Sequence, residues 1–186
     1  MSYPKKKWGQ NFLVDKNIIN KIIDSIDPTI DDTIVEIGPG KGALTIPLSK
    51  KVNKVIAVEI DPELSANLSK KGINNLEIVN QDFLKFDIDK INGPIKFIGN
   101  LPYNITSPII FKILSCSKWS KIVIMVQEEV ADRIVALPNS KTYGRLSVML
   151  QALSTPKKKF SVSKNCFNPK PKIESAVISL NSLNRK

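Results

Sequence analysis

The stretch Thr33-Ile34-Val35-Glu36-Ile37-Gly38-Pro39-Gly40-Lys41-Gly42 sets the architecture of this 186-residue chain. Its first half is a short, mostly apolar run, which is typical of a buried strand. Three glycines within the next five residues indicate a tight turn, and a helix is predicted over about 43–50. Glycines at such a turn let the backbone approach a ligand closely, and the start of the helix offers backbone N–H groups to it.

The same alternation of strand and helix continues along the chain. Strands are predicted over 33–37, 55–59, 76–79, 95–98, 122–126, 158–162 and 176–180, and helices over about 15–26, 62–71, 107–114, 128–137 and 145–153. Repeated strand–helix units favour a parallel sheet covered on both faces. No helix separates the last two strands. We therefore expect an α/β fold with a seven-stranded, mostly parallel sheet, helices on both faces and an antiparallel final strand, in one domain over 1–186. Residues 1–32 form a basic segment and a helix, and 33–186 form the core.

Composition excludes several classes of active site. The chain contains no histidine, which removes Ser-His-Asp catalysis, HExxH metalloproteases and haem ligation by histidine. Cys116 and Cys166 are the two cysteines, and they do not form a CxxC pair. This usage fits a reducing compartment and argues against a zinc site, so we expect no metal.

The charge of the chain is strongly basic and unevenly distributed. The net charge is +11, of which residues 118–186 carry +9 through 13 Lys and Arg against 4 Asp and Glu. A one-sided basic excess favours a polyanionic partner such as a nucleic acid, although a general bias toward Lys, Ile and Asn would also raise the charge. Apolar runs of the ~20 residues needed for a membrane span do not occur. We expect a soluble, cytoplasmic protein with no membrane contact.

Polar or glycine residues follow three consecutive predicted strands. Gly38 follows the first, Glu59 ends the second and Asp82 follows the third. An acidic side chain at the end of the second strand typically accepts the ribose hydroxyls of a nucleoside cofactor, and Asp82 could accept from an adenine amine. The glycine turn matches neither GxGxxG nor GxxxxGK[ST], and each residue alone is better explained as a turn or cap residue. The three together predict a nucleoside-cofactor site.

The fourth strand is followed by Asn100-Leu101-Pro102-Tyr103. Gly99 would permit a tight exit from the strand, and Pro102 fixes the next bend. The simpler interpretation is a β-turn with an incidental aromatic residue. The alternative is that an amide and an aromatic ring stand where open α/β sheets place their ligands.

Taken together, these motifs resemble the class I S-adenosylmethionine-dependent methyltransferases, which are Rossmann-like. More narrowly, they resemble the small-subunit ribosomal RNA adenine N6,N6-dimethyltransferases. The similarity spans almost the whole chain through Gly9-Gln10-Asn11-Phe12-Leu13, Glu36 to Gly42, Glu59-Ile60-Asp61, Gln81-Asp82, Asn100 to Tyr103, and Phe167-Asn168-Pro169-Lys170-Pro171-Lys172-Ile173-Glu174-Ser175-Ala176-Val177. Members of this family continue into a smaller C-terminal helical domain, which we expect to be absent here.

The resemblance implies roles for named residues. S-adenosyl-L-methionine would be held by Asn11, Leu13, Gly38, Gly40, Glu59, Ile60, Asp82, Phe83 and Asn100. The reacting adenine would be handled by Asn100, Leu101, Pro102, Tyr103 and Phe167. In this reading the Asn100 side-chain oxygen and the Leu101 carbonyl accept the amine protons, while Tyr103 and Phe167 stack on the two faces of the base.

The implied reaction is dimethylation of two adjacent adenosines in a hairpin loop near the 3′ end of small-subunit rRNA, in support of ribosome biogenesis. The implied partner is this rRNA or a 30S pre-ribosomal particle, with no DNA, and the protein is expected to be a monomer. Basic side chains would contact phosphates, with candidates at Lys5, Lys6, Lys7, Arg133, Lys141, Arg145, Lys157, Lys158, Lys159, Lys170 and Lys172. Two alternatives stay open: a large-subunit rRNA adenine methyltransferase that confers antibiotic resistance, and a non-catalytic RNA-binding ribosome-assembly factor.

Overall fold

A computed structural model describes residues 10–183. The predicted basic segment with Lys5, Lys6 and Lys7 lies outside the described residues. The helices are α1 (Lys16–Ser25), α2 (Thr45–Ser49), α3 (Pro62–Ser69), α4 (Thr106–Ser115), α5 (Glu128–Val135) and α6 (Arg145–Leu153). The strands are β1 (Phe12–Leu13), β2 (Thr33–Ile37), β3 (Lys54–Glu59), β4 (Leu76–Asn80), β5 (Ile95–Asn100), β6 (Trp119–Gln127), β7 (Ser154–Val162), β8 (Phe167–Asn168) and β9 (Ser175–Ser182).

Seven strands form the central sheet in the order β4-β3-β2-β5-β6-β9-β7. The first five of these are parallel neighbours, and β9 runs antiparallel to both β6 and β7. This arrangement confirms the predicted mostly parallel sheet with an antiparallel final strand. The carboxyl ends of β2, β3, β4 and β5 therefore meet at one edge of the sheet, where such folds bind ligands.

The sheet separates two apolar cores. Alternate residues of one strand point to opposite faces, so Val35 packs in one core and Ile34 in the other. Helix α1 covers one face through Ile22 and Ile23, and α4 covers the opposite face through residues such as Ile110. Both faces are thus buried, which is why the central strands are apolar at nearly every position.

Helix caps read from the sequence match the structure. Asp15 caps α1 by accepting from the backbone N–H groups of Asn17 and Ile18 at 2.8 and 3.0 Å. Asp61 caps α3 in the same way by accepting from the N–H of Glu63 at 3.0 Å, with Pro62 at the first helical position. These side chains satisfy helix N–H groups that have no partner within the helix.

Gly99 does not serve the turn that we predicted for it. It lies inside β5, paired with Ile37 of β2, and a Cβ added there would stand 2.6 Å from the Ile37 carbonyl oxygen. The residue is therefore needed for close packing between the strands, and the chain leaves the sheet only after Asn100.

The structure differs from the predictions in three smaller respects, which concern where two helices begin and the presence of two short strands. Helix α2 is one turn long and is preceded by turns, since three glycines with positive φ occupy the positions before it. Helix α4 begins two residues before Pro108. Strands β1 and β8 form a separate two-stranded sheet that was not predicted, because two-residue strands carry no periodic signal.

The described helices are short. In residues 10–183 no helix combines the length and the apolar character needed to cross a membrane.

Candidate active site

A cavity of about 650 Å³ opens at the carboxyl edge of the sheet. Its walls are built from the loops that follow β2, β3, β4 and β5, with the β1 segment on a further side. Of the predicted site residues, the following line it: Asn11, Leu13, Gly38, Gly40, Glu59, Ile60, Asp82, Phe83, Asn100, Leu101, Pro102 and Tyr103. The topology thus brings together residues that are up to 92 positions apart in the sequence.

The glycine turn forms one wall of the cavity. Gly38 and Gly40 adopt φ values of +66° and +58°, a region that other residues rarely occupy. A Cβ at Gly40 would also stand 3.2 Å from the Phe12 ring. A side chain at Gly40 would therefore both strain the backbone and crowd the wall that Phe12 forms.

Glu59 is buried at the end of β3 and is held by backbone groups. Its Oε2 accepts from the N–H of Gly40 at 2.9 Å, and its Oε1 accepts from the N–H of Asp61 at 2.9 Å. Burial raises the pKa of this carboxyl, while the hydrogen bonds from Asp61 and Gly40 oppose the rise. A carboxylate has about four acceptor sites, so Glu59 retains capacity to accept from a hydroxyl in the cavity beside the bonds from Gly40 and Asp61.

The β1 segment closes the cavity on its outer side. Phe12 and Leu13 pair with Asn168 and Phe167 of β8. Just before them, the Nε2 of Gln10 donates to Asp61 at 3.1 Å. Residues 10–13 are therefore attached both to the β8 segment and to the loop after β3, and this fixes Asn11 and Leu13 beside the cavity.

The loop after β4 supplies a third wall. Asp82 accepts through Oδ1 from the N–H of Leu84 at 2.9 Å and so caps a short 3₁₀ turn, Phe83–Lys85. Phe83 is buried and packs edge-on against Phe97, whereas Ile60 on the neighbouring loop is 36% exposed. The loops after β3 and β4 thus bring two apolar side chains and one carboxylate to the wall of the same cavity.

Asn100 ends β5 at the mouth of the cavity. Its Nδ2 donates to the carbonyl oxygen of Asn11 at 3.0 Å. This bond orients the amide, because the donor side is used and Oδ1 remains the acceptor. Within residues 10–183, Oδ1 of Asn100 accepts no hydrogen bond.

The two residues after Asn100 hold the loop in place. Leu101 is buried, and its N–H donates to the Met125 carbonyl of β6 at 3.1 Å. The carbonyl of Pro102 accepts from the Thr106 hydroxyl at 3.1 Å and from the N–H of Ile105 at 3.2 Å. The loop is thus tied to the sheet on one side and to α4 on the other.

Tyr103 is half-buried, and its hydroxyl lies 2.8 Å from the Oγ of Ser175. Ser175 is fully buried at the start of β9. The aromatic ring is therefore held at both ends, by the backbone after β5 and by a side chain of another strand.

Phe167 does not line the cavity, although we predicted that it covers one face of the base. Its side chain is buried at 4% exposure, where it packs in the same core as Leu13, Val162 and Val177. The next residue, Asn168, is the one that reaches the cavity wall. Stacking by Phe167 would require the ring to leave this core, so its role stays a prediction that the geometry does not support.

Glu36 is a cavity residue that sequence reasoning had not assigned a role. It is 2% exposed, and neither its Oε2 nor the hydroxyl of Thr45 finds a hydrogen-bond partner within the described residues. Burial raises the pKa of Glu36 to about 7; the nearby Thr45 hydroxyl, although it is outside hydrogen-bonding geometry, opposes the rise, and the charge of Glu59 adds to it. The sequence feature that could have indicated Glu36 as a site residue is the presence of a carboxylate within the apolar run 33–37.

The predicted RNA-contacting cations differ in whether a carboxylate of this chain already pairs with them. Lys141, Arg145, Lys157, Lys159, Lys170 and Lys172 are exposed. Lys158 instead pairs with Glu128 and Asp132, and the hydrogen bonds to Asp132 and Glu128 raise its pKa. Arg133 pairs with Glu129. These last two cations are already neutralised by carboxylates of this chain.

Comparison with known proteins identifies the family. The family model described as ribosomal RNA adenine dimethylase matches residues 1–186. This chain belongs to that family. A relative from Malacoplasma penetrans, named ribosomal RNA small subunit methyltransferase A, is 46% identical over 95% of this chain and 65% of its own length. A relative of the same name from Francisella tularensis subsp. tularensis is 49% identical over 98% of this chain and 72% of its own length.

Solved structures of similar proteins share the fold described above. A dimethyladenosine transferase from Plasmodium falciparum superposes with a TM-score of 0.86 at 32% identity, covering 92% of this chain and 63% of that chain. The 23S rRNA methyltransferase ErmE gives the same TM-score and identity, covering 94% of this chain and 71% of that chain. The chain thus spans roughly two thirds of the length of the family members it matches.

Proposed function

We propose that this chain transfers methyl groups from S-adenosylmethionine to N6 of adenosines in small-subunit rRNA, placing two methyl groups on each of two adjacent adenosines in a hairpin loop near the 3′ end. The observation that carries this proposal is the position of Asn100. Its amide stands at the mouth of a nucleoside-sized cavity, with the acceptor oxygen kept available by the bond from Nδ2 to Asn11.

The side chains that line the cavity match the chemical groups of the proposed cofactor. Glu59 would accept from the ribose hydroxyls, Asp82 would accept from the adenine amine, and Ile60 and Phe83 would cover the faces of the purine. The orphaned Oε2 of Glu36 and the adjacent Thr45 hydroxyl fit the positively charged amino group at the other end, because a buried carboxylate is stabilised by a cation. When bound, this cofactor supplies an electrophilic methyl group on a sulfonium.

Asn100 and Leu101 would prepare the target nitrogen. The lone pair of adenine N6 is delocalised into the ring, so the amine is a poor nucleophile. When the Asn100 Oδ1 and the Leu101 carbonyl accept hydrogen bonds from its two N–H groups, the nitrogen becomes pyramidal and its lone pair is localised. Fixed dipoles are sufficient for this step, because they act by position and preorganisation and require no strong base. This agrees with a chain that contains no histidine.

Tyr103 would hold the target base by stacking. A base inside a helix cannot reach the cavity and must be unpaired or flipped, and aromatic stacking offsets part of the cost. Tyr103 lines the cavity next to Asn100 and is anchored at its hydroxyl. It is suited to fix the plane of an adenine.

The proposed substrate is rRNA within a 30S pre-ribosomal particle, and the proposed state is a cytoplasmic monomer. The exposed cations Lys141, Arg145, Lys170 and Lys172 would contact phosphates, which adds affinity and salt dependence without reading sequence. The names of the relatives from Malacoplasma penetrans and Francisella tularensis support the small subunit as the target.

Modification of large-subunit rRNA is the second candidate, and a specific observation supports it. ErmE, which is named a 23S rRNA methyltransferase, has the same fold at a TM-score of 0.86. Overall geometry therefore does not separate the two substrates. A scaffold without catalysis is disfavoured, because Gly38, Glu59, Asp82 and Asn100 all converge on one cavity.

Methyl transfer to isolated subunits tests the proposal. The chain is incubated with methyl-labelled cofactor and with 30S particles, naked small-subunit rRNA or 50S particles, each prepared from cells that lack the modification. We expect label in the small-subunit RNA alone. Label in 50S particles alone would establish the large-subunit activity, and calorimetric cofactor binding without any label would favour the scaffold.

A further inference from the structure

The start of β9 carries a buried serine whose hydroxyl serves the site from outside the cavity. We propose that Ser175 is a positioning residue: it fixes the direction of the long axis of the Tyr103 ring beside the target base through the bond between its Oγ and the Tyr103 hydroxyl. This inference rests on the proposed function of the site and names a residue that acts through another.

The sheet order explains why this contact reaches so far. Tyr103 follows β5, and Ser175 begins β9, with β6 between these two strands. The Tyr103 side chain therefore extends across the carboxyl end of β6 to reach Ser175. The tyrosine hydroxyl lies on the axis about which χ2 turns the ring, so a bond at this end restricts χ1 and leaves the ring plane free to rotate about that axis. The long axis of the ring therefore keeps one direction toward the cavity instead of several.

Ser175 itself stands on a rigid support. Its backbone pairs with Gln127 of β6 and with Val162 of β7, so strands flank it on both sides. It is 0% exposed, and a buried hydroxyl is costly unless it is hydrogen-bonded. The residues that follow it in β9 begin with Ala176, Val177 and Ile178, all buried. The Tyr103 hydroxyl gives the buried hydroxyl of Ser175 its hydrogen-bond partner.

A Tyr103 ring whose long axis is no longer held by Ser175 should impair the second methyl transfer more than the first. Adenosine has two amine protons, one for Asn100 Oδ1 and one for the Leu101 carbonyl. N6-methyladenosine retains one proton, so its orientation depends more on stacking against Tyr103. A loosened ring is therefore expected to lower the ratio of dimethylated to monomethylated product.

The test measures both steps on 30S particles with Ser175→Ala, Ser175→Thr, Tyr103→Phe and the Ser175→Ala/Tyr103→Phe double variant. The matched control is Ser179→Ala, which removes another buried hydroxyl from the same strand. We expect Ser175→Ala and Tyr103→Phe each to lower kcat about fivefold, the value of one neutral hydrogen bond. The dimethyl-to-monomethyl ratio should fall while cofactor affinity stays unchanged, and the melting temperature should drop by only about 2–4 °C, since each variant loses one hydrogen bond.

The double variant should be no slower than either single variant, and Ser175→Thr, which keeps the hydroxyl, should retain most of the rate. Three results would each overturn the inference. They are a wild-type product ratio for Ser175→Ala, a wild-type kcat and product ratio for Tyr103→Phe, and a loss of kcat in the double variant that equals the combined losses of the single variants. If Ser175→Ala does not fold, Tyr103→Phe alone decides, since it removes the same bond from a half-buried position. An inactive wild-type chain would instead count against the proposed function.

Discussion

The side-chain amide of Asn100 donates from Nδ2 to the backbone carbonyl of Asn11, across a distance of 3.0 Å and a separation of 89 residues. This contact joins the end of β5 to the segment that closes the cavity. It also determines which atom of the amide faces the cavity, because the donor nitrogen is turned toward Asn11. The orientation of the predicted catalytic group is thus a property of the N-terminal segment as well as of β5.

Replacement of the amide should remove turnover and leave the cofactor site largely intact. For Asn100→Ala we expect kcat to fall by roughly 10²–10³-fold, the effect of losing one preorganised transition-state acceptor. Cofactor affinity, measured by calorimetry, should change only modestly. Asn104→Ala is the matched control, since Asn104 is exposed four residues later. An Asn100→Ala enzyme with near-normal turnover would refute the contact with the amine.

Glu59→Gln should weaken cofactor binding specifically. The substitution keeps the shape of the side chain but removes a charged acceptor, whose hydrogen bonds contribute about 1.5–3 kcal/mol each. We expect cofactor affinity to fall tenfold or more, by calorimetry, with the circular dichroism spectrum unchanged. Glu77→Gln provides the control, because Glu77 is an exposed residue of β4 that pairs with Lys54. Equal effects of the two substitutions would contradict the assignment.

Glu36 should make the stability of the cofactor-free protein depend on pH. Its pKa is raised from 4.5 to about 7 in the folded state, so between these values the folded chain binds a proton that the unfolded chain has lost. The free energy of unfolding therefore falls as the pH rises from 4.5 to about 7, by about 3 kcal/mol, and this contribution is constant above that interval.

Urea denaturation at a series of pH values measures this effect. Glu36→Gln cannot ionise, so the decline with pH should be about 3 kcal/mol smaller in this variant than in the wild-type chain. Glu77→Gln serves again as a control with an exposed carboxyl. Parallel pH profiles for wild type and Glu36→Gln would show that the buried carboxyl is not the source.

Gly99→Ala should destabilise the sheet next to the site. The added Cβ would stand 2.6 Å from a backbone carbonyl oxygen that has little freedom to move, and overpacking of this kind costs about 1–3 kcal/mol. Gly144→Ala is the control, because a Cβ there meets no atom within 4 Å. Urea denaturation should give a clear loss for the first variant and less than about 1 kcal/mol for the second. Similar losses would argue against close strand packing as the reason for Gly99.

The sequence was sufficient for the parts of this fold that depend on periodic or local signals. The apolar runs around Val35 and Ile98 identify central strands, and Asp15 and Asp61 cap the helices that they were expected to cap. The cavity residues at Gly38, Glu59 and Asp82 followed from the rule that parallel strands share one carboxyl edge.

Other features depend on contacts between distant segments and leave no local signal. The β1–β8 pairing joins Leu13 to Phe167, and it buries the Phe167 ring that a motif comparison had placed beside the base. The bond between Tyr103 and Ser175 likewise joins residues 72 positions apart. Gly99 was read as a turn residue, because close approach of two strands cannot be recognised from one strand.

The nucleoside composition of treated rRNA tests the central claim most directly. Small-subunit particles from cells that lack the modification are incubated with the chain and S-adenosylmethionine, and the digested RNA is analysed by mass spectrometry. We expect N6,N6-dimethyladenosine at two adjacent positions with the wild-type chain, and roughly 10²–10³-fold slower formation with Asn100→Ala. Unmodified adenosine at these positions, in the presence of an active control enzyme, would contradict the claim.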